Sequence, residues 1–421
     1  MVLPAGPSAT VPHETLPPFS TLDPAVAIDP YPRYRRYRER EPVHVGAPLW
    51  PEGPPVVYLF GFAEVMAALR DNRLGRETSR LTPDAPEPTR TPDTFGAMAS
   101  DWMLFRDPPD HTRLRQLANV AFTPKRVAAR RPAVEALANH LLDQMEECDD
   151  PADLIEAFAF PLPVLVISDI LGVPDEDQDR FRDWSAVFAA AIDADVAELA
   201  AIAASADAAT AEVSEYLRWI IARRREDPRD DVLTAMIAAR AEGDRFTEQE
   251  VIATCVLLLF AGHETTVNLI GNGTLALLRN PNQWRLLTSR PDLAGNAVEE
   301  LLRYDGPVQY TGRTAFTDVE YGGVPVPRGA EVVTMLGSAN RDPAAFTDPD
   351  RLDITRSVGR IMSFGMGIHF CLGAPLARLE GEVAFAALAS RLPGLALADP
   401  APAWRGGVVL RGLRSLPVTW H

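Results

Sequence analysis

The run Phe364-Gly365-Met366-Gly367-Ile368-His369-Phe370-Cys371-Leu372-Gly373 decides how this chain is read. Glycine lacks a Cβ, so Gly365, Gly367 and Gly373 permit tight turning and let the backbone approach a flat group closely. Phe364 and Phe370 can shield a sulfur from water. The run continues as Ala374-Pro375-Leu376-Ala377-Arg378, and proline is tolerated in a first helical turn, so a helix is expected just after Cys371. Free N–H groups and the dipole at that helix start favour a thiolate, which predicts a lowered thiol pKa. A buried cysteine on its own is usually an inert packing residue. The joint pattern sets Cys371 apart.

The surrounding chain limits the alternatives. With 421 residues, 47% of them hydrophobic and 24% charged, it can bury a large core. No repeat period or Gly/Ser linker divides it, so residues 31–421 read as one domain behind a loose, proline-rich tail over residues 1–30. That tail lacks the basic and apolar regions of a secretory signal. Cys148, Cys255 and Cys371 show neither a disulfide framework nor zinc spacing, which suits a reducing cytoplasm. The net charge of −17, from 41 basic and 58 acidic residues, disfavours nucleic acid and anionic membrane as partners. The apolar run Val251 to Gly262 ends at His263 and Glu264, short of the ~20 residues of a membrane span, and reads as a buried helix. Positive charge gathers at Arg33, Arg35, Arg36, Arg38 and Arg40, and again at Arg113, Arg115, Arg126, Arg130 and Arg131.

Periodicity makes the chain mainly α with small β-sheets. Leu59 to Ala68 is helix-like, Asp71 to Ser100 reads as a long loop, and helices are expected over Leu114–Phe122, Val134–Met145 and Leu154–Leu171, the last stopped by Gly172. Two alanine-rich helices should fill Glu176 to Arg225, meeting near Asp193–Ala197. Thr247 with Glu250 is a capping box opening a long buried helix to about Leu278. Strand-like pieces appear late, at Val319–Tyr321, Glu331–Thr334, Val408–Leu410 and Leu416–Thr419.

On the long helix, Ala261-Gly262-His263-Glu264-Thr265-Thr266 puts Ala261 and Thr265 on one face. A Thr hydroxyl can bond back to the carbonyl four residues earlier and open a local groove, and Gly262 lets a flat group approach. Glu300 and Arg303 sit at i and i+3 and can pair. His111 and Arg115 are i and i+4 on one helix face.

The Cys371 loop resembles the haem loop of the cytochromes P450, Phe-Gly-x-Gly-x-His-x-Cys-x-Gly, at every specified position. The resemblance implies haem b between the long helix and the helix after Cys371, with Cys371 as iron ligand. It implies His111, Arg115, Arg313 and His369 as propionate ligands, and Phe364, Gly365, Gly373 and Ala261 against the cofactor. Glu264 would relay protons from solvent and Thr265 would orient O2; Glu300, Arg303 and Arg351 would form a structural ion network. Phe95, Met98, Trp102, Phe188, Leu258, Val308, Val408 and Val409 would line an apolar substrate pocket.

Little sequence follows the Cys-loop helix, so no fused reductase is expected. Electrons would come from NAD(P)H through a separate ferredoxin and ferredoxin reductase, docking near Arg113 and Arg126 to Arg131. The implied activity is hydroxylation or epoxidation of a hydrophobic secondary metabolite, a polyketide or macrolide, terpenoid or peptide, by a cytoplasmic monomer. Two alternatives keep the fold: oxidative C–C or C–N coupling, and a non-catalytic module that recruits a carrier protein.

Overall fold

Thr247 starts the helix on which the fold is built. Its hydroxyl accepts from Glu250 N at 3.2 Å while Glu250 Oε2 accepts from Thr247 N at 2.8 Å, the reciprocal cap expected from the sequence. The helix runs Glu248–Arg279 and passes through the main hydrophobic cluster. It is long and apolar enough to cross a membrane, but 78% of its most apolar window is buried inside the protein.

The computed structural model describes residues 16–21, 23, 26, 28–48, 53, 56–82, 91, 94–148, 150–193, 196–240, 243–406 and 409–420. Five helices position the site: α1 (Asp110–Ala121), α2 (Gln178–Asp193), α3 (Glu248–Arg279), α4 (Ala294–Asp305) and α5 (Ala374–Arg391). α3 packs against α2, α4 and α5 and against the helix Pro161–Leu171. That last helix stops at Gly172, whose φ of +73° closes the turn as expected. The alanine-rich region forms α2 and a second helix, Val196–Glu226.

Beside the helices lies a five-stranded sheet of β1 (Val43–Gly46), β2 (Val56–Leu59), β3 (Leu74–Gly75), β4 (Thr311–Ala315) and β5 (Glu331–Thr334), in the order β1-β2-β5-β4-β3. Only β5 was legible as a strand. β1 to β3 are two to four residues long, too short for alternation to register. Leu59 to Ala68, read as one helix, is split: Leu59 ends β2 and Phe62–Arg70 is the helix. Asp71 to Ser100, read as a loop, contains β3 and the helix Phe95–Ser100, which Thr94 caps by accepting from Ala97 N. Val319–Tyr321 pairs with Val324–Val326, and Pro417–Thr419 pairs with Ala396–Leu397. Leu410 makes one isolated bridge, to Val308, and Val408 lies outside the described residues.

Part of the supposed loose tail is packed. Phe19 is fully buried among Tyr37, Tyr58 and Phe60, with ring centroids 4.9–5.1 Å from its own, and its carbonyl accepts from Ala47 N at 3.0 Å.

The ion network needs a second correction. Glu300 and Arg303 are fully enclosed, joined by Arg303 Nε to Glu300 Oε2 at 2.7 Å and Nη2 to Oε1 at 2.8 Å. The third member is Arg356, whose Nε donates to Glu300 Oε1 at 3.1 Å. Arg351 turns outward, its side chain 66% exposed beside Asp353, and contributes its carbonyl to Arg303 and Arg356. The chain reverses between the two arginines, so the one farther along points back at Glu300. Removing one member of a buried pair leaves the other charge unpaired, at a cost of about 3–5 kcal/mol. Arg356→Ala is therefore expected to lower the melting temperature markedly, and Arg351→Ala to change stability by no more than about 0.5 kcal/mol. Thermal melts of the two variants decide between them.

Candidate active site

The loop before α5 is fixed by its backbone. Cys371 N donates to Phe364 O at 3.0 Å, and Gly365 N to Met362 O at 2.8 Å. Gly365 and Gly367 take φ of +65° and +72°. A Cβ on Gly367 would also lie 2.4 Å from Leu69 O, so no other residue fits there. Gly373 has an ordinary φ of −81° and is the N-cap of α5. Phe364 lies 6.3 Å from Phe370 and is covered on another side by the Arg378 guanidinium at 4.5 Å.

The thiol itself departs from expectation. Burial pushes the Cys371 thiol up, and this outweighs the backbone N–H groups of Gly373 and Ala374 and the charges of Arg115 and Arg378, which pull it down. The helix start alone does not produce a thiolate here. A bound cation would be needed to complete it.

Next to the loop lies a cluster of cation-forming groups. His111 on α1 and His369 have ring centroids 4.3 Å apart. Arg313 on β4 donates to Thr311 Oγ1 at 3.1 Å and to Gly312 O at 2.7 Å, and burial lowers its pKa to about 10. Burial, with Arg313 and His111 beside it, takes His369 down to about 2. Burial also lowers Arg115, four residues after His111 on α1. Arg76, which no motif or spacing marks, joins them, pushed down to about 9 by burial and by Arg313. Three buried nitrogens in this cluster, His111 Nδ1, His369 Nε2 and Arg76 Nε, have no hydrogen-bond partner. Asp107 opposes them, but its Oδ2 already accepts from Arg76 N and Glu77 N, both at 2.8 Å. Unsatisfied buried donors beside like charges call for an anion.

On α3 the Thr265 hydroxyl bonds back to Ala261 O at 2.9 Å, and Thr266 does the same to Gly262 O at 3.2 Å. The back-bond expected of a helical Thr is thus made, and Ala261 is exposed on the same helix face as Thr265. A Cβ at Gly262 would make only an ordinary contact with Ile167 Cδ1, at 3.4 Å, so packing there does not itself demand glycine. Glu264 does not face solvent. It is buried, forms a close ion pair with Arg405, accepts weakly from Asn268 Nδ2 at 3.4 Å and lies 3.8 Å from His263 Nε2. Burial raises its pKa and Arg405 opposes the rise. Glu264 and Arg405 are 141 residues apart, and no spacing rule links them.

The pocket candidates form an aromatic wall. Phe95 stacks on Phe188 at 5.7 Å, and Trp102 lies edge-on to Phe95 at 5.8 Å and stacks on Phe260 at 6.1 Å. Met98 and Leu258 are buried in the main hydrophobic cluster, and Val308 and Val409 pack against that cluster. Arg113, expected at the electron-donor dock, reaches a close pair with Glu250 and lies 3.4 Å from Asp244.

A family model for cytochrome P450 matches residues 84–289 and 287–392. The chain belongs to the cytochrome P450 family. It is 43% identical over 410 residues to cytochrome P450 107B1 of Saccharopolyspora erythraea, covering 96% of this chain and 98% of that one. It is 39% identical over 398 residues to the 6-deoxyerythronolide B hydroxylase of the same organism, covering 93% and 96%. The solved structure of the P450 PksS of the bacillaene polyketide synthase from Bacillus subtilis superposes with a TM-score of 0.86 at 40% identity, covering 96% and 99%. This P450 is a monooxygenase of the bacterial secondary-metabolism type. The family implies haem iron and O2. The residues fit the cofactor: a sulfur in a glycine loop, an exposed Ala261 face, and orphaned buried nitrogens where carboxylates would bind.

Arg405 sets how strongly Glu264 holds a proton. A carboxyl whose folded pKa is raised costs stability as pH climbs above its ordinary value of 4.5. Arg405→Leu removes the opposing charge and raises that pKa further. The variant should melt close to the parent in acid, where Glu264 is protonated in both, and fall progressively below it toward neutral pH. Thermal melts across about pH 5 to 8 measure this.

Proposed function

We propose that this P450 hydroxylates or epoxidises a hydrophobic secondary metabolite of the polyketide or macrolide kind, with Cys371 as iron ligand and Glu264 and Thr265 as the proton-delivery pair. One observation carries the reading: the orphaned donors of His111, His369 and Arg76 gather beside the Cys371 loop, which suits a flat cofactor with two carboxylates. Haem bound there would activate O2 for insertion into a C–H bond or an alkene. His111, Arg115, Arg313, His369 and Arg76 would hold its propionates by charge-assisted hydrogen bonds. Phe364, Gly365, Gly373 and Ala261 would line its faces.

The chain's own residues manage protons and water. Thr265 can turn its hydroxyl from Ala261 O toward the helix face it shares with Ala261 and donate there. Glu264, once freed from Arg405, can resupply that hydroxyl, since burial has raised its proton affinity. The wall of Phe95, Trp102, Phe188 and Phe260 excludes water and favours an apolar substrate. The polyketide assignment follows the named relatives, the 6-deoxyerythronolide B hydroxylase and PksS.

Electrons would come from NAD(P)H through a ferredoxin and its reductase in the cytoplasm. The dock is better placed on the Cys371 face than on α1. A depression of about 330 Å³ lined by Arg70, Arg360, Gly365 and Phe370 opens there, and Ile368 and Phe370 are exposed beside it. Among the described residues Arg70 and Arg360 form no ion pair, whereas Arg130 and Arg131 are paired with Asp169 and Glu382 at 3.0 Å. Unpaired cations beside exposed apolar side chains suit an acidic ferredoxin.

Thr265→Ala should keep the spectrum of the loaded enzyme yet divert most reducing equivalents to hydrogen peroxide; full coupling to product would remove the proton-delivery role. Arg360→Glu should slow reduction by reduced ferredoxin several-fold and weaken its dependence on salt, while Arg113→Ala should leave the rate unchanged. Stopped-flow reduction at two ionic strengths reads both.

A further inference from the structure

His263 lies between two groups that give its ring a direction. It is fully buried on α3, and its Nδ1 is 2.5 Å from Ser185 Oγ on α2, itself fully buried. Its Nε2 makes no hydrogen bond but lies 3.8 Å from Glu264 Oε2. Phe160 covers the ring edge-on at 4.9 Å, so no water reaches it from that side. The charged groups facing the pair are Arg405 from the C-terminal segment and Glu264 from its own helix; Asn268 adds a neutral amide. Arg405 and complete burial both keep the imidazole neutral, taking its pKa down to about 3.

A neutral imidazole carries one proton, and which nitrogen holds it depends on the partner of the other. We infer that Ser185 and His263 are positioning residues for Glu264: the Ser185 hydroxyl donates to His263 Nδ1, which fixes the ring proton on Nε2, facing the Glu264 carboxylate. A shift of under about 1 Å in either side chain makes Nε2–H to Oε2 a hydrogen bond of normal length. The carboxylate is then held between Arg405 on Oε1 and His263 on Oε2, and its aim toward Thr265 depends on both. Ser185 stands three residues before Phe188, on the same face of α2, so the helix that supplies a wall of the aromatic pocket also supplies the hydroxyl that orients the ring. Packing at Phe188 thereby reaches the relay acid through two side chains.

This inference rests on the proton-delivery reading of Glu264, and the test separates the two. The holoenzyme with 15N-labelled histidine, in its diamagnetic ferrous CO form, reports the tautomer of each of the seven histidines, with His263 assigned by its loss in His263→Gln. The expected result is a proton on Nε2; a proton on Nδ1 overturns the inference, because Ser185 would then be the acceptor. In turnover, Ser185→Ala should raise the peroxide share of consumed electrons several-fold with substrate affinity nearly unchanged, and Ser185→Thr, which keeps the hydroxyl, should restore coupling. If Glu264→Gln leaks peroxide and Ser185→Ala does not, the positioning role fails and the relay stands. If Glu264→Gln couples fully, the relay itself fails.

Discussion

The cost of burying charge organises this molecule. Five cation-forming groups, His111, His369, Arg76, Arg115 and Arg313, converge on one side of the Cys371 loop, and burial lowers the pKa of all five. In the protein alone Asp107 opposes them, with Glu331 beside Arg76, and Asp107 Oδ2 is already used by backbone N–H groups. A site of this kind is stabilised by an anion supplied from outside. The two carboxylates of haem would meet that requirement, and binding the cofactor would then help complete the fold on this side of the protein.

The opposite solution holds the rest together. Glu300, Arg303 and Arg356 satisfy one another fully, and the backbone carbonyls of Asn340, Pro349 and Arg351 occupy the remaining guanidinium donors. This knot ties α4 to the segment leading into Met362 and the glycine loop, so it fixes the loop's entry without touching the cofactor. Within α3, Glu264 lies between these extremes: buried, paired with Arg405 and raised in pKa, it is a carboxyl able to hold or release a proton.

What the sequence disclosed follows the range of the interactions. The Cys371 loop, the capping box at Thr247, the back-bonding Thr265 and the pair His111 and Arg115 all lie within a few residues of their partners, and periodicity or helix geometry exposes them. Arg405, Arg76, Arg356 and Ser185 act across 141, 235, 56 and 78 residues. Nothing local marks them, and Arg351 was the natural choice for Arg356 because a meander's direction of travel is invisible in one dimension. The strands were missed for a related reason, since β3 holds two residues and takes its conformation from pairing with β4. The thiol's proton affinity was misjudged because helix position is readable and depth of burial is not.

The account stands on Cys371 as a thiolate iron ligand. The measurement that tests this most directly is the absorption spectrum of the reduced, CO-saturated protein loaded with haem, compared with Cys371→Ala. The account predicts the strongly red-shifted Soret band that a thiolate opposite CO produces, and its loss in the variant while haem is still bound. A folded, haem-loaded parent protein without that band would contradict it.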